Sequence, residues 1–172
     1  MSRALVVTLA LLLGCGYGVV RYRGALDGAE TVAVRTFENA SSEPNAELMM
    51  TEALRKEFLR RGGLRLISDS DRADLVVEGK VLPIGTAPRS FSSIVLALEY
   101  EIQMAVEVQV RRQDGTDLAI DARSLSETEI YLASSDVEAG RKNREEALRR
   151  ISQTLAGRVI DAIYLGDVGK GS

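Results

Sequence analysis

A chain of 172 residues is long enough to bury one core without disulfide staples. It has no histidine, no tryptophan and a single cysteine, which removes the usual neutral-pH general base, the commonest transition-metal ligand and any internal disulfide. A formal charge of −3 excludes the basic surplus of a nucleic-acid binder.

The chain begins with a short positive stretch at Arg3 and an apolar run from Ala4 to Leu13. That run falls well short of the roughly 20 residues a transmembrane helix needs, so it reads as a secretory signal. It closes on Leu12-Leu13-Gly14-Cys15, which resembles the bacterial lipobox, with Leu where Ala, Ser or Thr is more usual. The resemblance implies that Cys15 is diacylated and that residues 1–14 are then cleaved, taking the charge from −3 to −4 as Arg3 is lost. In sequences of this type an Asp after the cysteine argues for the inner membrane; Gly16 stands there, which favours the outer membrane. Three acyl chains exceed the marginal hold of one, so the anchor is expected to be stable. Residues 15–28, Gly-rich with Tyr17, Arg21, Tyr22 and Arg23, read as a lipidated tether.

Thr31 to Thr36 is a β-branched run suited to a strand. Phe37 through Asn45 turns the chain, and its Asn39-Ala40-Ser41 fits a glycosylation sequon but is more simply loop chemistry. Pro44 and Gly62-Gly63 bracket a helix, with Met50, Leu54 and Phe58 recurring every four residues as a core-facing stripe. Leu64 to Ile67 is extended, Ser68 to Asp74 is a polar turn, and Leu75 to Leu82 is a second strand; strand, helix, strand predicts parallel neighbours. Pro83 to Ser93 reads as the join to the next strand.

Ile94 to Arg112 alternates most cleanly. Ile94, Leu96, Leu98, Tyr100, Ile102, Met104, Val106, Val108 and Val110 form one side, against Glu99, Glu101, Gln103, Glu107, Gln109 and Arg111. A period of two is a strand with one wet face, and at about 3.3 Å per residue it reaches roughly 60 Å. Gln113-Asp114-Gly115 supplies a hairpin turn, Leu118 to Tyr131 returns, and the alternation slips after Ser124, where a bulge is expected. Ser135-Asp136-Val137-Glu138 is a capping box for a second helix. The front of that helix is polar, and Leu148, Ile151, Leu155, Val159 and Ile163 stripe its back. These elements predict an α/β chain of the α+β sandwich kind in the order β-α-β-β-β-α. Its four-stranded mixed sheet carries a long central hairpin and two helices on one face, over residues 29–166, with 167–172 a disordered tail.

Glu99 and Glu101 share a strand face about 6 to 7 Å apart, a spacing reminiscent of paired catalytic carboxylates, but on an exposed strand they read as solvated charges. No phosphate-binding glycine loop, nucleophile elbow or metal-spaced cluster accompanies them, and no enzyme, metal or cofactor is expected. The remaining leads are basic: Arg89 in the proline-bounded join, Arg111 and Arg112 by the hairpin turn, and Arg141, Lys142 and Arg144 on the polar half of the last helix.

The runs Thr31-Val32-Ala33-Val34 with Phe37-Glu38-Asn39, Leu54-Arg55-Lys56-Glu57-Phe58-Leu59, Leu75-Val76-Val77-Glu78-Gly79-Lys80-Val81 and Glu99-Tyr100 resemble the LptE family of lipopolysaccharide-assembly lipoproteins. The Cys15-Gly16-Tyr17 start is similar too. The resemblance implies an outer-membrane lipoprotein on the periplasmic side that assists assembly of, and plugs, an LptD-type β-barrel, with lipopolysaccharide as the second partner and no nucleic acid. Arg89, Arg141 and Lys142 are then the expected lipopolysaccharide contacts. The alternative is a periplasmic lipoprotein that activates a peptidoglycan synthase, which shares the strand-helix-strand opening; a soluble lipid carrier would need an apolar cavity. Cys15→Ala is expected to leave the signal uncleaved and to abolish acylation, and an unmodified Cys15 in the intact mass of the wild-type mature protein would sink the anchor.

Overall fold

The computed structural model describes residue 26 and residues 28–91, 97–118 and 125–166. Cys15 and the signal, most of the tether, Ile94 and Leu96, and the tail 167–172 lie outside the described residues. In chain order the elements are β1 (Thr31–Val34), β2 (Glu38–Asn39), α1 (Ala46–Arg61), β3 (Arg65–Leu66), a 3-10 turn (Ser70–Arg72) and β4 (Leu75–Val81). There follow β5 (Gly85–Phe91), β6 (Ala97–Arg112), β7 (Asp117–Leu118), β8 (Ser126–Leu132) and α2 (Val137–Gly166). The class is the one the sequence predicts, a mixed sheet with two helices on one face.

β6 is the axis. Its 16 residues extend about 50 Å at 3.3 Å each. Ile102, Met104, Val106 and Val110 are buried, while Glu101, Gln103, Glu107 and Gln109 between them are exposed. One margin of β6 pairs antiparallel with β4, from Leu75↔Arg112 to Val81↔Val106, and then with β5, from Gly85↔Gln103 to Phe91↔Ala97. β5 is the departure from expectation: the join across Pro83–Ser93 contains a paired strand. Its residues are exposed or nearly so on both faces, so it has no apolar alternation to betray it. Its register breaks between Pro88 and Ser90 and again before Phe91.

The other margin pairs with β7 through Val110↔Leu118 and with β8 through Ala105↔Ser126. Between those two pairs the return strand advances from 118 to 126, eight positions, while β6 moves five, from 110 to 105. The bulge expected after Ser124 is not found among the described residues: the ladder runs without a break from Ser126 to Leu132, and the three-residue offset falls across positions 119–124, which lie outside the described set. The Asp-Gly hairpin turn is present: Gly115 has φ 85°, its N–H donates to Arg112 O at 2.9 Å, and Asp114 Oδ1 accepts from Thr116 N at 2.8 Å.

β1 lies parallel to β4, Val32 opposite Leu75, as a strand-helix-strand unit requires. Their starts are tied by Asp74 Oδ2, which accepts from Glu30 N, Thr31 N and Thr31 Oγ1 at 2.9, 2.8 and 2.7 Å. The Thr31 hydroxyl, then the two backbone donors, hold that carboxyl below its ordinary range. The sequon's Asn39 is committed to its loop: Nδ2 donates to Glu43 O at 2.9 Å and to Glu47 Oε2 at 2.7 Å, and Oδ1 accepts from Ser41 N at 2.9 Å.

Met50, Leu54 and Phe58 of α1, and Leu148, Ile151, Leu155, Val159 and Ile163 of α2, are buried as their spacing predicts. Pro44 stands just before the N-cap Asn45, and Gly62 ends α1 with φ 67°. Asp136 is the cap of α2, its Oδ1 accepting from Glu138 N at 2.8 Å and Ala139 N at 3.0 Å, one residue past the expected Ser135. The helices run in the same direction. Arg144 of α2 meets Glu43 just before α1, and Arg61 at the end of α1 reaches Asp161 and Gly157 O of α2. α2 lies along β8, where Asn143 Nδ2 donates to Leu132 O at 3.0 Å and Arg158 Nη1 to Ser126 O at 2.8 Å.

Gly79, inside β4, has a steric reason. A Cβ there would collide with Glu107 O of β6 and approach the buried Phe37 ring to 2.6 Å. Gly79→Ala is therefore expected to destabilise the chain by about 1–3 kcal/mol through forced displacement of Phe37 or of β6. Urea unfolding that shows a loss below about 0.5 kcal/mol would mean that the ring is free to yield.

Candidate functional site

The two helices do not cover the whole of β6. Leu98 and Tyr100 continue the row of Ile102 and Met104, yet Leu98 is 49% exposed because it lies beyond the packed part of α2. The buried stripe of α2 begins at Ala147 and Leu148, and ahead of it the helix meets the sheet through polar side chains. The space left between is a groove of about 810 Å³. Its floor is Leu98, Tyr100 and Tyr131, and Arg141 and Arg144 form its helical wall. Tyr100 and Tyr131 are directly opposite each other in the β6–β8 register, with ring centroids 5.5 Å apart and planes at 19°.

Arg144 holds this end together. Its Nε and Nη2 donate to Glu43 Oε2 at 2.8 and 2.7 Å, and its Nη1 donates to Thr86 Oγ1 at 2.9 Å and to Tyr131 OH at 3.2 Å. One guanidinium thus joins α2, β8, β5 and the segment leading into α1. Arg141 is exposed and pairs along its own helix with Glu138 at 2.7 Å and Glu145 at 3.1 Å. Lys142, beside it, is exposed and has no ion-pair partner among the described residues.

Arg89 is elsewhere. It sits at the register break of β5 and lies 3.6 Å from Glu101, which belongs to the helix-free face of β6. The sheet therefore separates Arg89 from Arg141, while Arg141 and Arg144 share the groove. Glu99 and Glu101, the carboxylates two apart, are taken up by Ser90 Oγ at 3.1 Å and by Arg89. The helix-free face is otherwise a lattice of mixed charge, with Arg111 to Glu78 at 3.0 Å and Asp117 at 3.6 Å, and Arg35 to Glu78 at 3.2 Å. At its far end it also carries Phe91, 56% exposed, and Leu132, 61% exposed.

An apolar aromatic floor beside guanidinium groups suits an amphiphile with anionic groups, whose chain takes the floor and whose head meets the arginine wall. Tyr131 and Glu43 were hidden from sequence reading. The only signal for the first was its place opposite Tyr100, in a register that no local feature of the return strand fixes; for the second there was none, since Glu43 lies 101 residues from its partner.

The family model described as LptE, lipopolysaccharide-assembly, matches residues 29–163. A comparison with curated proteins found no match. Among solved structures, a lipoprotein from Caulobacter crescentus CB15 is similar at TM-score 0.54 and 15% identity, covering 87% of this chain and 99% of that one. The rare lipoprotein B of Shewanella oneidensis is similar at TM-score 0.55 and 14% identity, covering 78% and 98%. A lipoprotein B from Nitrosomonas europaea is similar at TM-score 0.55 and 12% identity, covering 84% and 86%. At such identities the structural likeness shows the fold.

Arg144→Met is expected to cost about 1–3 kcal/mol, because Glu43 and the Tyr131 hydroxyl lose a charged donor. In a double-mutant cycle with Glu43→Gln the two losses are expected to be far from additive, with a coupling above about 0.5 kcal/mol. Additive losses in urea unfolding would show that the pair carries no joint load.

Proposed function

The chain belongs to the LptE family of lipopolysaccharide-assembly lipoproteins, and from that membership we propose that it is the lipid-anchored partner of an LptD-type outer-membrane β-barrel, whose assembly it assists and whose lumen it plugs. It is a non-enzymatic factor of lipopolysaccharide assembly. The observation that best supports the plug is the helix-free face of the sheet. Along about 33 Å of β6 it presents Glu101, Gln103, Glu107, Gln109 and Arg111, with no layer over them among the described residues. An outer-membrane barrel turns its apolar band outward to the lipid and keeps a polar interior, so a charged wall suits its lumen as it suits water.

Cys15 is the proposed anchor and the outer membrane the proposed location, on the periplasmic side. No helix among the described residues is long and apolar enough to cross a membrane, so attachment rests on the lipid and on the barrel. Leu26, the first described residue, is buried, and its carbonyl accepts from Arg112 Nη1 at 3.4 Å, at the end of β6 away from the groove. The described chain thus begins at the end of the long strand opposite the groove. In this reading lipopolysaccharide places acyl groups against Leu98, Tyr100 and Tyr131 and phosphates near Arg141 and Lys142, with Arg89 meeting it from the other face.

Co-purification of the full lipidated chain in detergent without crosslinking tests the partner. An integral barrel is the expected companion; a peptidoglycan synthase in its place would turn the assignment to the activator reading. Arg89→Glu with Lys142→Glu is expected to lower lipopolysaccharide binding at least about tenfold, or about 1.4 kcal/mol, with little change in thermal stability. Equal binding by this variant and wild type at low salt would remove both residues from the contact.

A further inference from the structure

A second groove runs along the outer side of the helix pair, away from the sheet. Leu48, Met49 and Ala53 of α1 form its apolar floor and Gln153 of α2 its far wall, and charged side chains rim it, Glu52, Glu57 and Arg149 as well as Lys56 and Arg60, within about 560 Å³. That is the size of a site for a small apolar ligand. Arg60 stands two residues before Gly62, and Gly62-Gly63 lies at the point where the chain first enters the fold: Gly28, Ala29 and Glu30 line a common cleft with Gly63, Leu64 and Arg65. The groove thus opens toward the tether.

We infer that this groove seats an acyl chain of the protein's own lipidated Cys15 whenever no membrane is available to it. The inference rests on the proposed acylation of Cys15. Reach permits it. Cys15 and Leu26 are eleven residues apart, up to about 36 Å of extended chain. The length of α1 from Gly62 back to Leu48 is about 21 Å at 1.5 Å per residue. A ligand joined to the fold through so few residues has an effective concentration on the order of millimolar, so an intrinsic affinity near 1 mM, about 4 kcal/mol, is enough to fill the groove in water. Each buried methylene contributes about 0.8 kcal/mol, so a few of them reach that level. A bilayer, which takes whole chains, wins the competition when present. Seating keeps one chain out of water between synthesis and insertion.

The test uses the full lipidated chain with a photoreactive benzoylphenylalanine at Ala53, at the exposed and tolerant Lys56, or at Leu59, which is 68% exposed and outside the groove. Without vesicles, illumination is expected to join position 53 or 56 to the Cys15 acyl group within one chain, roughly tenfold more than position 59. Addition of phosphatidylethanolamine–phosphatidylglycerol vesicles is expected to abolish that product. Equal labelling at 53, 56 and 59, or crosslinks at 53 and 56 only to a second polypeptide, overturns the inference. Intact mass is read first on each sample: an unacylated Cys15 overturns both the anchor and the inference, whereas an acylated Cys15 without groove crosslinks overturns the inference alone.

Discussion

The alternation of β6 imposes one requirement on everything else: Ile102, Met104, Val106 and Val110 must be removed from water along a strand about 50 Å long. A single helix of α1's length, 16 residues or about 24 Å, spans only about half of that strand. α2, with 30 residues, is long enough to flank nearly all of it, and its apolar stripe sits toward its end so that it packs where α1 also packs. The two stripes meet each other over one sheet face, α1 against β1 and β4 and α2 against β6 and β8, and the core closes between them. What remains of β6 toward Ala97 is flanked by β5 and β8 and only approached by the polar start of α2, so the groove with its tyrosine floor is what this mismatch of lengths leaves over.

Most of this layout is written locally. Period two marks β6 without help from any partner, the spacing of Met50, Leu54 and Phe58 marks α1, and the parallel pairing of β1 with β4 follows from a helix between two strands. β5 was illegible because both of its faces are wet: pairing to β6 by backbone bonds leaves no trace in hydropathy. Gly79 has no local signal of its role in the sequence. Its cause is Phe37, across the core and 42 residues earlier, and no window along the sequence contains both.

The basic residues show the same boundary from the side of function. Arg141 and Lys142 could be picked out because the front of α2 lacks an apolar stripe, and the structure sets Arg141 on the groove. Arg89 was picked for a constrained loop and instead occupies a strand, on the far side of the sheet from Arg141. Arg144 differs from both: its charge is spent on Glu43, and it fixes the positions of the parts that shape the groove. Telling a fixing arginine from a contacting one requires the partner, and the partner is a matter of tertiary geometry.

A ribbon of this length with two open margins would template its own growth into fibres, strand upon strand. The margins are closed by different means. Along β8 the amide of Asn143 and the guanidinium of Arg158 occupy the carbonyls of Leu132 and Ser126, so an incoming strand finds those acceptors taken and a helix in its path. Along β5, Pro88 has no N–H to offer, and the register breaks on either side of Ser90 spoil the even ladder a second copy would need. The consequence is colloidal: at high concentration neither β5 nor β8 offers a second copy the even ladder it would need, and the charged face of β6 holds water rather than another sheet.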